Sequence, residues 1–236
     1  MQLKQEAVDY RDGDAELSGL LVWDGTERAR PGVVVVHGGA GLDDHARGRA
    51  RQLAELGLLV FACDMYGNAV IGDRERVMSC IRELMAERDK LARRAQAGVD
   101  VLSSHLLFDG NIAAVGYCFG GRAVLELART GAELAGVISV HGSLETANPA
   151  GPGDVKAKVL VCHGALDPHV PTTQLTGFIE ELNAAGTDYQ LIVYGRAVHG
   201  FTHDVGPQGP GVAYHAASDR RSFIAIKAFL AEIFDT

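Results

Sequence analysis

The residues best equipped for chemistry are in Gly116-Tyr117-Cys118-Phe119-Gly120-Gly121, where a thiol has glycines two positions before and two after it. The apolar run Ile112-Ala113-Ala114-Val115 leads in and Ala123-Val124-Leu125-Glu126-Leu127-Ala128 leads out, so the segment reads as strand, sharp turn and helix with Cys118 at the apex. Glycines at those spacings let a strand and a helix pass close to a strained turn. A thiol at a helix N-terminus meets the positive end of the helix dipole, which favours thiolate. A bare G-x-C-x-G also fits a buried cysteine beside helix-packing glycines, so the catalytic reading depends on partners. Asp167 lies in His163-Gly164-Ala165-Leu166-Asp167-Pro168 after one apolar run, and His199 lies in Ala197-Val198-His199-Gly200-Phe201 after the next. A histidine can hold a thiolate as an ion pair and later protonate a leaving group, and a carboxylate can fix its tautomer and stabilise its cation. Taken singly, Asp167 also fits a turn before Pro168 and His199 a satisfied loop histidine. Their joint placement at successive strand ends, in the order nucleophile, acid, histidine, is what points to catalysis.

Acyl transfer also needs donors for a developing oxyanion. The backbone N–H of Phe119, just after the nucleophile, is one. The other is expected from His37-Gly38-Gly39, with Gly39 preferred and Gly38 as the alternative. Other histidines (His37, His141, His163) fall at strand ends, and His199 and His203 are four apart. No acidic cluster with ligand spacing accompanies them, so no metal is expected.

The elements that must position these groups follow from the pattern. Residues 3–10 and 15–23 read as an antiparallel edge hairpin turning at Asp12-Gly13-Asp14. A polar linker, 24–31, leads to Val33-Val34-Val35-Val36, an uninterrupted β-branched run typical of a central parallel strand. A helix to about residue 56 ends at Gly57, and a strand spans 58–63. Residues 73–104 read as one long helix with a solvated charged face that includes Glu75, Arg82, Glu83, Glu87, Arg88 and Lys90. Strands at 112–115, 135–141, 158–162 and 189–194 then alternate with helices to about 129, at 171–185 and at 216–234, with loops at 143–154 and 195–214. This alternation predicts an α/β fold, a mostly parallel doubly wound sheet with helices on both faces and an N-terminal antiparallel hairpin. Sites in such sheets lie at the C-terminal ends of the strands, where Cys118, Asp167 and His199 fall.

The 236 residues fit one domain, 1–236, and the formal net charge of −8 argues against nucleic-acid and anionic-membrane partners. There is no basic leader with an apolar core and no run long enough to span a bilayer, so a cytoplasmic protein is expected. Cys63, Cys80, Cys118 and Cys162 are spread singly, which fits reduced thiols rather than a zinc knuckle or dithiol motif.

The residues resemble the dienelactone hydrolase family of α/β-hydrolases. The likeness is carried by residues 33–41, Asp64-Met65-Tyr66, Gly116-Tyr117-Cys118-Phe119-Gly120-Gly121, and the pair 163–171 with 198–202. Within that family the chain looks close to a metagenome-derived member with phosphotriesterase activity. The resemblance implies a Cys118–His199–Asp167 triad, hydrolysis of esters or lactones, and no cofactor. The family's namesake enzymes carry a Glu beside the oxyanion loop and two arginines that grip a substrate carboxylate. Gly38, Asn68 and His203 stand at the matching positions here. A neutral small-molecule ester or lactone is therefore the expected substrate, with phosphotriester hydrolysis as a further activity and pocket lining by Tyr66, Asn68, Ile71, Phe201 and His203. Monomer and homodimer both remain open. The competing reading is a non-catalytic, redox-sensing protein with Cys118 as an oxidisable thiol.

Overall fold

The computed structural model describes residues 2–87, 89–205 and 208–235. Among the described residues eight strands form one sheet: β1 (Lys4–Asp12), β2 (Ala15–Trp23), β3 (Arg30–Val36), β4 (Leu59–Cys63), β5 (Phe108–Tyr117), β6 (Gly136–Val140), β7 (Lys158–Gly164) and β8 (Tyr189–Tyr194). Their spatial order is β1-β2-β4-β3-β5-β6-β7-β8. The hairpin β1–β2 joins antiparallel to β4, and every later pairing is parallel. The doubly wound architecture expected from the sequence is therefore the one found. Among the described residues no helix is long and apolar enough to cross a membrane.

Successive side chains of the central strands serve two cores, because strand side chains alternate between faces. Val33, Val35, Val60, Ala113 and Val115 pack under α1 (Asp44–Ala54) and α6 (Ala216–Ile233). Val34, Val36, Phe61 and Ala114 pack on the opposite face, under α3 (Lys90–Ser103), α4 (Phe119–Arg129) and α5 (Thr172–Ala185), with α2 (Arg74–Ala86) beside them. Burial on both faces explains why these strands read as continuous apolar runs.

Two expectations need correction. Residues 73–104 are not one helix: α2 ends at Ala86 and α3 starts at Lys90. Glu87 is extended (φ −109°, ψ 140°) and Asp89 is left-handed (φ 62°). The reason lies in packing. The α3 stripe Leu91, Ala95, Val99 and Leu102 sits on the sheet, with Gly98 against the Cys63 side chain, whereas α2 buries only Val77 and Leu84. Lys90 spans the break to Glu83 at 3.1 Å and Glu87 at 2.9 Å. Arg88, assigned to the charged face, lies outside the described residues. The polar linker 24–31 is also shorter than read, since β3 begins at Arg30. That arginine is buried, and Asp24 at 2.5 Å and the Thr26 carbonyl at 2.8 Å neutralise and cap it.

The crossing of β5 and α4 is tight. A Cβ at Gly116 would lie 2.0 Å from the Gly120 carbonyl oxygen, and one at Gly120 would lie 2.2 Å from that of Val36. Neither obstacle is a side chain that could rotate away. Gly120→Ala is expected to destabilise the protein by about 2 kcal/mol or more. Gly177→Ala, in open space within α5, should be neutral or stabilising by up to about 1 kcal/mol. Urea denaturation of the two variants checks both.

Candidate active site

Cys118 is the N-cap of α4, with φ 51° and ψ −114°. Few non-glycine residues adopt such a backbone, and it persists only where the surroundings over-determine it. Its N–H donates to the Val140 carbonyl at 3.0 Å and to His141 Nδ1 at 3.1 Å. Its carbonyl accepts the N–H groups of Gly121 at 3.0 Å and Arg122 at 3.3 Å. The side chain, half-buried, then stands above the C-terminal edge of the sheet.

The three residues expected to act together are brought together. His199 Nε2 lies 3.0 Å from Cys118 Sγ, and its Nδ1 lies 2.8 Å from Asp167 Oδ2. The other Asp167 oxygen accepts the N–H groups of His169 at 2.8 Å and Val170 at 3.2 Å, so the turn before Pro168 also orients the carboxylate. Asp167 follows β7, two strands from β5, and His199 follows β8, three strands from it.

Burial opposes charge on all three groups, but their mutual interactions outweigh it. The Cys118 thiol is held below its ordinary value by the hydrogen bond and charge of His199, together with the backbone N–H groups of Gly39 and Phe119. Against its own burial, His199 is pushed up to about 10 by Asp167 and Cys118. Asp167, also against burial, is held below the usual carboxylate range by His199 and the two N–H groups. These interactions all favour the thiolate of Cys118 and the imidazolium of His199 over their neutral forms.

The backbone N–H groups of Gly39 and Phe119 both favour the charged form of the Cys118 sulfur. Three consecutive carbonyls fix the loop that presents Gly39. His37 Nε2 accepts the Met65 N–H at 3.0 Å, so Nδ1 carries the ring proton and donates to the Gly38 carbonyl at 2.7 Å. The Tyr66 hydroxyl donates to the Gly39 carbonyl at 3.2 Å, and the Gly72 N–H to the Ala40 carbonyl at 2.9 Å. At Gly41 (φ 94°) the backbone passes so near Val70 that a Cβ would lie 2.2 Å from its carbonyl oxygen.

The residues expected to line the pocket separate into three groups. Tyr66 is tied to the Gly39 loop, edge-on to His37 at 4.7 Å and tilted against Phe119 at 5.8 Å. His203 Nε2 lies 3.4 Å from where a Cβ on Gly38 would be, a point that is 3.6 Å from the Cys118 Cβ. Burial holds His203 down to about 4, so it is neutral. Phe201 is fully buried beneath the site, against His141 and Tyr194. Asn68 and Ile71 line a different cleft of about 900 Å³ with Leu42, Arg47, Tyr10 and Arg11, and none of Cys118, His199 or Asp167 borders it. Sequence reasoning missed the parts played by His37 and His141, read as strand-end residues, and those of His45 and Thr202. Strand-end placement was the signal for His37 and His141; His45 in α1 and Thr202 after β8 carried none. No three His, Cys, Asp or Glu side chains among the described residues converge as a metal-binding group.

Two outcomes follow from this geometry. Iodoacetamide should alkylate Cys118 faster at pH 7 than it alkylates an ordinary cysteine, because the lowered thiol pKa leaves a larger thiolate fraction, lost as pH falls through that pKa. In His199→Ala the titration should move upward and the rate at pH 7 should fall. Tyr66→Phe, which loses one hydrogen bond to the Gly39 loop, should lower kcat by about five-fold while changing KM less; steady-state kinetics with a neutral nitrophenyl ester checks it.

Residues 18–234 match the dienelactone hydrolase family. A solved dienelactone hydrolase-like promiscuous phosphotriesterase from metagenomic libraries is 39% identical with a TM-score of 0.90, and the alignment covers 98% of this chain and 99% of that one. A Yersinia pestis protein, provisionally named a carboxymethylenebutenolidase, is 30% identical over 202 residues, 80% of this chain and 73% of that protein. A dienelactone hydrolase from Anabaena variabilis, 23% identical with a TM-score of 0.73 and 98% of each chain covered, shares the fold. Since the family match runs from within β2 to the end of α6, the chain belongs to the dienelactone hydrolase family of hydrolases.

Proposed function

We propose that the protein is a cofactor-independent cysteine hydrolase of neutral carboxylic esters or lactones, acting through a covalent intermediate on Cys118. The observation that carries this reading is the alignment of Sγ, Nε2 and Nδ1 with Asp167 at 3.0 and 2.8 Å, beneath the N–H groups of Gly39 and Phe119. The thiolate attacks the carbonyl carbon, and the two N–H groups receive the oxyanion. The tetrahedral adduct collapses, and the leaving alkoxide takes the proton on His199 Nε2, which leaves a thioester and a neutral imidazole. That imidazole accepts a proton from water as the water attacks the thioester. Collapse of the second adduct releases the acid and restores the thiolate–imidazolium pair. Asp167 holds His199 in one orientation and stabilises its cation in each half-reaction.

Neutrality of the substrate is supported by Asn68 and His203. Neither supplies a cation, since Asn68 faces the separate cleft and His203 is kept neutral by burial. An anionic substrate would find no bidentate partner at either position. The same thiolate and donors suit attack on phosphorus in a neutral triester with a good leaving group, an activity carried in the name of the metagenomic relative. Monomer and homodimer are equally compatible with this chemistry.

Stopped-flow release of nitrophenol from a neutral p-nitrophenyl ester, with protein mass taken at the burst plateau, tests the reading. A burst matched by an acyl adduct on Cys118 is expected, and Cys118→Ala should lower kcat/KM by about three orders of magnitude or more. A p-nitrophenyl ester bearing a carboxylate should be turned over less well than its neutral analogue. Full turnover in Cys118→Ala would refute the nucleophile. Fast peroxide oxidation of Cys118 without ester turnover would support the redox-sensing reading instead.

A further inference from the structure

Beneath Cys118 runs a line of buried polar groups that the reaction steps above do not use. It links the nucleophile's own N–H to α1 and α6. His141 Nδ1 is 3.1 Å from the Cys118 nitrogen, and His141 Nε2 is 2.8 Å from Thr202 Oγ1. Thr202 Oγ1 is 3.1 Å from His45 Nε2, which also receives Arg49 Nε at 3.3 Å. Arg49 is anchored in turn by Asp219 at 2.5 Å and the Thr202 carbonyl at 2.9 Å. His141 and Thr202 are almost wholly buried, and His141 itself has φ 42°.

The donors and acceptors in this line admit one direction. Arg49 can only donate, so His45 Nε2 is bare. At the other end the Cys118 N–H needs a bare His141 Nδ1, so the single hydroxyl hydrogen of Thr202 goes to His45 Nε2, which it shares with Arg49 Nε. Thr202 Oγ1 must then accept from His141, which puts the ring proton on His141 Nε2. His141 Nδ1 is left bare, as it must be to accept the Cys118 N–H. An imidazole whose two nitrogens are both engaged has its tautomer set by its partners. Had the proton been on Nδ1, two hydrogens would face each other between His141 and Cys118.

We infer that Thr202 and His141 are positioning residues for the nucleophile: the Thr202 hydroxyl sets the tautomer of His141, and His141 Nδ1 then holds the Cys118 N–H, jointly with the Val140 carbonyl, and with it the strained backbone that aims Sγ at His199. The inference rests on the reading of Cys118 as nucleophile. Neither side chain touches the reacting atoms. Their effect is on how often the elbow presents the thiolate in line with His199 and the N–H groups of Gly39 and Phe119. That geometry matters in the transition state more than in substrate binding.

The test compares Thr202→Val, which keeps the shape and removes the hydroxyl, with Thr202→Ser, which keeps the hydroxyl. Thr202→Val should lower kcat about tenfold with KM changed less than about two-fold, and Thr202→Ser should stay within about two-fold of the parent. Long-range proton–nitrogen NMR correlations of the His141 ring in the unsubstituted protein should show a protonated Nε2 and a bare Nδ1. In Thr202→Val the ring should shift toward the Nδ1-protonated form or a mixture. A parent protein with His141 protonated on Nδ1 would overturn the inference, as would a Thr202→Val enzyme of full kcat or a Thr202→Ser enzyme as impaired as Thr202→Val. The ring spectrum of the parent needs no variant to fold and no turnover to be read. If Cys118→Ala retained activity, the nucleophile assignment would fall while the tautomer result stood. If Cys118 proved essential and Thr202→Val were fully active, only the positioning role would fall.

Discussion

In the proposed mechanism, a sulfur anion held partly out of water is the constraint to which the rest of this structure answers. Removing a charge from water is costly unless fixed partners replace the lost solvent. Here the replacements come from four separate parts of the chain: the imidazolium after β8, the carboxylate after β7, the N–H at the start of α4, and the N–H of the loop after β3. A doubly wound sheet is well suited to this, because parallel strands deliver their following loops to the same edge. The strand order puts β3, β5, β6, β7 and β8 side by side, so the four contributors converge with little irregular backbone between them.

Convergence alone would leave the thiolate loosely aimed. The left-handed backbone at Cys118 requires close approach of Gly116, Gly120 and Val36, and packing of that kind has no room for a side chain to yield. The Gly39 loop is held by a different device, with donors from His37, Tyr66 and Gly72 fixing three successive carbonyls. Rigid backbone donors need no reorganisation as charge develops on a substrate oxygen, which is where such sites gain most of their effect. The site is therefore braced from both sides of the sheet: α4 packs on one face, and the histidine line to α1 and α6 lies on the other.

Much of this was legible in the sequence because it depends on local pattern. Uninterrupted valines in 33–36, the glycine spacing around Cys118, and Asp167 and His199 just after strand-like runs each leave a short-range trace. The break between α2 and α3 left none, because Glu87-Arg88-Asp89 contains neither glycine nor proline and the split is imposed by what each half packs against. His141 and Thr202 are 61 positions apart and His45 and Thr202 are 157 apart, so their association exists only in the folded chain. The family resemblance put Asn68 at a substrate-gripping position, yet the left-handed turns at Asn68 and Ala69 carry that loop toward the hairpin cleft.

The reach of the Cys118–His199 contact has a consequence for the life of the chain before it is folded. The histidine lies 81 residues beyond the cysteine, and β7 and β8 must be laid beside β6 before it can arrive. Until then Cys118 is an ordinary thiol, mostly protonated at neutral pH and a poor target for oxidants and electrophiles. On the proposed reading, its nucleophilicity is conferred only when the C-terminal third of the sheet closes, so a growing or misassembled chain would not carry an exposed acidic thiol. The proposed nucleophile would be switched on by completion of the fold that shelters it.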